Sequence, residues 1–240
     1  MTKIMGHRGA KAERPENTMA AFKRAEKLGT DGIETDVHLL FDGTIPIYHD
    51  KNIPESGNSI YAYCKEMIDE ISASRRFSDV HRDQIIPYLG ELLEYIKTSR
   101  MYFNIEIKDE SGFITDIAEK VCTRLQEYDV LEKCLISCFN HRTLLEVKKH
   151  CPQMCVGALY SDAYGFDVIP YCLKNGFDAV HPMFTGVTKE FVDRCHKNNI
   201  MVNVWTVNKE EDIRRMIQYG VDILITDDPA LAIRVLKQMM

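Results

Sequence analysis

The sequence predicts an α/β fold, a (β/α)8 TIM barrel with an insertion or loop region after its second strand. Three observations carry that prediction. Short apolar strands alternate with amphipathic helices along the whole chain. The alternation counts to eight units in 240 residues, or about 30 residues each, close to the usual size of such a barrel. Unusual polar residues recur at the C-terminal ends of the strands, where this fold carries its chemistry. The competing architecture, a doubly wound open sheet, calls for a glycine-rich phosphate loop after the first strand. The sequence has neither a G-x-G-x-x-G nor a Walker loop.

The elements follow in order. A strand at 3–6 leads to a helix over 17–28, where Met19, Ala21, Phe22, Ala25 and Leu28 repeat at helical spacing and Gly29 stops the run. Strands are expected at 32–37 and, more briefly, at 44–48. The stretch 50–85, with Lys51, Asn52, Pro54, Ser56, Gly57 and Asn58, lacks a clear period and reads as an insertion or active-site loop. A helix over 89–96 precedes a strand over 102–108, in which Phe103, Ile105 and Ile107 alternate with Asn104, Glu106 and Lys108. The rhythm is then regular. Helices at 113–127, 141–149, 166–175, 188–198 and 209–219 each precede a strand, at 134–138, 155–159, 178–181, 201–206 and 222–225. The last helix opens at Pro229, with Asp228 placed to cap it. No linker or low-complexity segment divides the chain, so 1–240 reads as one domain.

Composition excludes several classes. Hydrophobic residues at 45% and charged residues at 28% rule out disorder, collagen and coiled coil as the main architecture. With 36 acidic against 30 basic residues the net charge is −6, so no broad basic surface offers itself to nucleic acid. No run approaches the ~20 apolar residues of a membrane helix. Only Ile4 and Met5 separate Lys3 from Gly6, so no signal peptide is expected. The eight cysteines include no C-x-x-C, and Cys134/Cys138 and Cys151/Cys155 have no histidine at zinc-finger spacing. They read as buried free thiols in a reducing, cytoplasmic compartment. Oligomeric state leaves no trace in the sequence.

The chemistry collects at strand ends. His7 and Arg8 close the first strand between Gly6 and Gly9. Glu34 and Asp36 stand one residue apart on the second, which puts both carboxylates on one face. Two carboxylates aimed together call for a divalent cation, and oxygen ligands suit Mg²⁺ or Ca²⁺; a salt bridge to a basic neighbour is the structural alternative. His38 follows them and stays unassigned. His49 and Asp50 emerge soon after, although neighbours on a strand point apart, which leaves the partner of His49 open. Asn104, Glu106 and Lys108 share a face of the third strand and are costly there unless paired or bound to an ion. A Glu106–Lys108 pair and a Schiff-base lysine are the alternatives. His181 and Trp205 close later strands; Trp205 fits either a core plug or a pocket wall. Asp227 and Asp228 are explained by helix capping.

Taken together these residues resemble the glycerophosphodiester phosphodiesterase family. The resemblance begins at His7-Arg8-Gly9 and Pro15-Glu16-Asn17-Thr18, and continues through Gly32-Ile33-Glu34-Thr35-Asp36-Val37, Asp42-Gly43 and His49-Asp50. It takes in Asn104-Ile105-Glu106-Ile107-Lys108, Ser137-Cys138-Phe139-Asn140, Val204-Trp205-Thr206-Val207-Asn208 and Ile225-Thr226-Asp227-Asp228-Pro229. These pieces run in order over 4–230. Two departures stand out. Lys51-Asn52-Ile53 occupies the place where such enzymes often carry Arg-Thr-Thr, and Cys138-Phe139 stands for the usual Ser-Phe.

The resemblance implies metal-dependent hydrolysis of glycerophosphodiesters to glycerol 3-phosphate and an alcohol. It implies Glu34, Asp36 and Glu106 as ligands of a divalent metal ion. His7 and His49 would be the general acid and base, and Arg8, Lys108, His181 and Trp205 the substrate contacts. One histidine would deprotonate the glycerol 2-hydroxyl, or a water, and the other protonate the leaving alcohol. Glu16 and Asn17 would position His7 or substrate, with a helix N-cap as the other reading of Asn17. The expected partner is a small-molecule glycerophosphodiester, with no nucleic acid and no stable membrane insertion. Turnover of lysophospholipids, or a barrel that only binds a phosphorylated ligand, are the competing readings.

Overall fold

The computed structural model of the chain describes residues 1–74, 83–109, 115–161 and 167–240. Eight parallel strands close into a barrel in chain order, with β1 (Lys3–His7) hydrogen-bonded to both β2 (Gly32–Val37) and β8 (Ile223–Thr226). Between them lie β3 (Tyr102–Ile107), β4 (Cys134–Cys138), β5 (Cys155–Tyr160), β6 (Ala179–Pro182) and β7 (Met201–Val204). Parallel neighbours need crossover helices, and these supply the outer layer. They are α1 (Met19–Leu28), the short α2 (Lys65–Asp69), α3 (Leu89–Thr98), α4 (Ile117–Glu127) and α5 (His141–His150). The series ends with α6 (Val168–Asn175), α7 (Lys189–Lys197), α8 (Glu210–Tyr219) and α9 (Pro229–Met239).

The core sits mainly between strands and helices. Ile33, Val37, Phe103, Ile105 and Ile107 turn outward from the barrel onto Phe22, Ala25, Leu92, Leu93 and Ile96. Burying side chains of that size contributes roughly 1.5–3 kcal/mol each. The other strand face fills the barrel: Met5, Ile223 and Ile225 form an apolar plug against Trp205. Gly157 on β5 has a packing reason, since a Cβ there would lie 2.2 Å from His181 Nε2.

Several boundaries differ from the sequence reading. The first helix begins at Met19 rather than 17, because the Thr18 hydroxyl caps it by accepting from the Ala21 N–H. That frees Asn17, at φ 56°, to turn inward. The expected 44–48 strand is a return loop with isolated antiparallel bridges, Ile47 to Val37 and Pro46 to Tyr88. The seventh strand ends at Val204, and Trp205 adds a single bridge to Met183. The insertion is not patternless: Leu40, Ile53, Ile60, Tyr63, Ile68 and Ile86 bury one another in a second small cluster. Of the expected 50–85, 113–127 and 166–175 stretches, residues 75–82, 113–114 and 166 fall outside the described residues. Among the described residues no helix is long and apolar enough to cross a membrane.

Candidate active site

Strand register builds the site. His7 pairs with Glu34 across β1 and β2, Glu34 with Asn104 across β2 and β3, and Asp36 with Glu106 one pleat further on. The period of two keeps Glu34 and Asp36 on the inner face. Register then adds Glu106 beside them, and one carboxylate oxygen from each of the three lies within 4.8 Å of the others.

Two cations share this cluster. Lys108 Nζ reaches Asp36 Oδ1 at 3.1 Å and also bonds Glu106. Arg8 Nη1 donates to Glu16 Oε1 at 2.8 Å, and its Nε stands 3.4 Å from Asp36. Asn17 Nδ2 donates to Asp36 Oδ2 at 2.8 Å, while Asn17 Oδ1 accepts from the Thr35 hydroxyl. The expected helper pair therefore acts elsewhere than on His7: Asn17 fixes Asp36, and Glu16 fixes Arg8.

Burial sets the protonation. Burial, with Asp36 and Glu106 as neighbours, pushes the Glu34 carboxyl well above the ordinary carboxylate range. Burial and Asp36 raise Glu106 to about 7 against the pull of Lys108. Burial would raise Asp36 as well, but Lys108 and Arg8 outweigh it and hold that carboxyl low. Packed this closely, the three carboxylates disfavour one another's ionisation even beside the two cations. Glu34 Oε1 is buried with no hydrogen-bond donor. An all-oxygen donor set, two buried carboxylate oxygens without a hydrogen-bond donor (Glu34 Oε1, and Asp36 Oδ1, which Lys108 meets only as an ion pair) and the mutual repulsion of three carboxylates fit a hard divalent cation.

Two imidazoles flank the cluster. His7 Nδ1 stands 2.6 Å from Asp227 Oδ1, and His7 Nε2 lies 3.8 Å from Glu34 Oε2. Burial lowers the pKa of His7 more than the Asp227 hydrogen bond raises it, which favours the neutral ring. His49 Nδ1 is held at 2.8 Å by Asp50 Oδ1. The pairing works because 49–50 is loop rather than strand, so the two side chains can turn to one side. Asp227 is the residue the sequence reading missed as a site residue. Its neighbour Asp228 is the cap of α9, accepting from Leu231 N, whereas Asp227 reaches across the closure of the barrel. The signal was its place just past β8, since β8 neighbours β1 in a closed barrel. Lys11 was missed too; its Nζ bridges Glu16 Oε2 at 3.0 Å and Asp227 Oδ1 at 3.8 Å.

A cleft of about 540 Å³ opens beside His49, with Lys11, Asn17 and Tyr48 among its walls. His181 lies deeper, 1% exposed on β6, with Nε2 2.9 Å from Asn203 Nδ2. Burial brings its pKa down to about 3. Trp205 Nε1 donates to the His181 carbonyl at 2.7 Å, and its ring meets the half-exposed Phe139 edge-on.

Two imidazoles, paired cations and a carboxylate cluster lie at the C-terminal mouth of a parallel (β/α)8 barrel, where this fold carries its active sites. The chain belongs to the glycerophosphoryl diester phosphodiesterase family, whose model matches residues 7–231. A glycerophosphodiester phosphodiesterase of Caldanaerobacter subterraneus subsp. tengcongensis is 37% identical over 242 residues, covering 99% of this chain and 98% of that one. One of the same name from Bacillus altitudinis is 34% identical over 245 residues and covers 100% of both. A solved Oleispira antarctica phosphodiesterase, in complex with the product sn-glycerol-3-phosphate, shares the fold with a TM-score of 0.87 at 22% identity. That match covers 99% of this chain and 97% of the other.

Proposed function

We propose that this chain hydrolyses glycerophosphodiesters to glycerol 3-phosphate and an alcohol, using a divalent cation and the His7–His49 pair. The observation that carries the reading is the pair of imidazoles, each with Nδ1 on a carboxylate, beside a three-carboxylate cluster. Glu34, Asp36 and Glu106 would hold the cation, Mg²⁺ or Ca²⁺. When bound it supplies positive charge that offsets the diester and lets all three carboxylates ionise.

A phosphodiester repels nucleophiles, so the site must neutralise it. Fully ionised, the three carboxylates would outweigh Arg8 and Lys108 by one charge; a divalent cation turns the same set into one positive charge that matches the anion. Arg8 offers a planar fork to phosphoryl oxygens, and Lys108 a point charge. Asp227 and Asp50 each favour the tautomer with the proton on Nδ1, which leaves Nε2 of His7 and His49 to face substrate. One imidazole, neutral, takes the proton of the attacking hydroxyl, of glycerol or water, on its Nε2, and the other, entering as the imidazolium, gives its Nε2 proton to the departing alcohol. Trp205 walls the substrate, and His181 contributes through its carbonyl, which fixes the indole. One domain spanning 1–240 carries these parts. All eight cysteines are free thiols, which supports a reducing cytoplasmic setting.

The test is release of glycerol 3-phosphate from glycerophosphocholine and glycerophosphoethanolamine, with EDTA, Mg²⁺ and Ca²⁺ in parallel. Release that stops with EDTA and returns with one metal is the expected result; release unaffected by EDTA removes the metal, and no release under any metal removes the reaction. Ile47, Pro54, Ala73 and Ile86 give the cleft apolar walls, which favours lysophospholipids as a second substrate class. Failure to turn over lysophosphatidylcholine retires that second reading.

A further inference from the structure

His38 is a fully buried imidazole to which the acid–base chemistry assigns no part. It follows β2 directly, two residues beyond Asp36. Its ring lies between two pieces of chain that the sequence keeps apart. His38 Nε2 stands 3.2 Å from the backbone carbonyl oxygen of His49. His38 Nδ1 stands 3.2 Å from the Tyr61 hydroxyl, which itself donates to the Lys108 carbonyl at 2.9 Å. The two rings meet edge-on, with centroids 5.4 Å apart.

Proton counting leaves two tautomers of a neutral ring, and only one of them bonds the His49 peptide. A carbonyl oxygen only accepts, so the contact with His49 requires the hydrogen on His38 Nε2. A neutral ring then has a bare Nδ1, which accepts. The single Tyr61 proton serves Nδ1 and the Lys108 carbonyl in turn. In the Nε2–H tautomer the brace runs from a tyrosine of the insertion, through His38, to the peptide that carries His49, with the Tyr61 hydroxyl alternating between the ring and the end of β3.

The brace acts where the backbone leaves His49 to a loop. The return loop is tied to β2 by Tyr48 N to the Asp36 carbonyl at 3.0 Å, and by His38 N to the Pro46 carbonyl at 3.2 Å. The next backbone tie along the chain is Ile60 N to the Lys51 carbonyl at 2.8 Å. The His49 carbonyl falls between these ties, and the His38 ring reaches it. Moving that peptide would move His49 Nε2 relative to the carboxylate cluster.

We infer that His38, as the Nε2–H tautomer backed by Tyr61, is a positioning residue that sets the placement of His49. The inference rests on the proposed role of His49 in the reaction. A misplacement of about 1 Å in such a group costs on the order of 100-fold in rate.

Nitrogen-15 histidine spectra of the wild-type protein read the tautomer without any turnover. A protonated Nε2 with a bare Nδ1 at His38 is expected; a protonated Nδ1 with a bare Nε2 would overturn the brace. Kinetics then read the consequence. His38→Phe keeps an aromatic ring without the donor, and should lower kcat about 10- to 100-fold with KM within about twofold. His38→Gln restores an N–H at similar reach and should recover most of the loss. Tyr61→Phe, a milder change with the ring intact, should lower kcat in the same sense by less. Equal losses in the Phe and Gln variants, a change confined to KM, or no change in kcat in any variant would each refute the positioning role. Should the wild type release no glycerol 3-phosphate, the proposed reaction fails on its own. The brace is then judged by the His38 tautomer and by whether the His49 ring resonances move in Tyr61→Phe.

Discussion

Replacing Asp227 with asparagine changes one charge at the point where the barrel closes and leaves the shape of the side chain intact. In the native site Asp227 Oδ1 meets His7 Nδ1 at 2.6 Å, while Oδ2 accepts from Asn208 Nδ2 at 2.8 Å. The Asn208 amide selects the oxygen of the new asparagine, so its NH2 turns toward His7. An NH2 cannot accept a hydrogen bond, and Nδ1 must then give up its proton. The proton moves to Nε2, so a neutral His7 acting as base would present a donor where it should accept, and one acting as acid would lose the carboxylate that steadies its imidazolium. The lost charge-assisted hydrogen bond alone is worth about 1.5–3 kcal/mol. At about 1.4 kcal/mol per factor of ten, that is roughly a 10- to 150-fold loss. Inverting the tautomer of a catalytic imidazole extends the range toward about 10⁴. The assay is kcat and KM on glycerophosphocholine at saturating metal, with the His7 tautomer read by nitrogen-15 spectra. A kcat within about threefold of wild type, with the proton still on Nδ1, would refute the orienting role. A pH signature accompanies it. Burial works to raise the Asp227 carboxyl, but the His7 hydrogen bond wins and draws it down to about 2 from 3.8. A folded value below the unfolded one stabilises the fold above pH ~4 and loses that stabilisation as pH falls toward 2. The asparagine variant should lack that component of acid destabilisation in melts across this window.

The other predictions concern the remaining parts of the site and its support. His7→Ala and His49→Ala should each cost about 10²–10⁴ in kcat, and an active variant in either case would end the two-histidine assignment. Glu34→Ala and Glu106→Ala should weaken Mg²⁺ or Ca²⁺ binding in calorimetry; unchanged affinity would remove that carboxylate from the ligand set. Gly157→Ala forces a Cβ to within 2.2 Å of His181 Nε2 in a packed interior. Overpacking of that kind costs about 1–3 kcal/mol, and at roughly 2–4 °C per kcal/mol the melting temperature should fall by several degrees. A melt equal to wild type would mean that His181 can swing aside.

The period-two pattern of a strand shows which side chains share a face, and that much was legible from the residues alone. Glu34 with Asp36, and Asn104 with Glu106, share the inner faces of β2 and β3 as the alternation predicts, and Lys108 reaches the same carboxylates from just beyond the end of β3. The eight-fold alternation placed the barrel. Local pattern could not say which strand end meets which. His7 and Asp227 are separated by 220 positions and come together because β8 pairs with β1. The partner of His49 depended on a loop, where side chains no longer alternate. Asn17 turned from a possible cap into a support for Asp36 once Thr18 took the cap, a choice made by the geometry of the turn. The insertion looked patternless because its cluster draws single apolar residues from distant short segments. The sequence by itself determined the fold class and the inward carboxylates, because these follow from local periodicity; the acid–base reading of His7 and His49 came from the family resemblance. Tertiary structure alone decided the pairings that orient each imidazole and balance each charge, because these depend on register, barrel closure and the path of the loops.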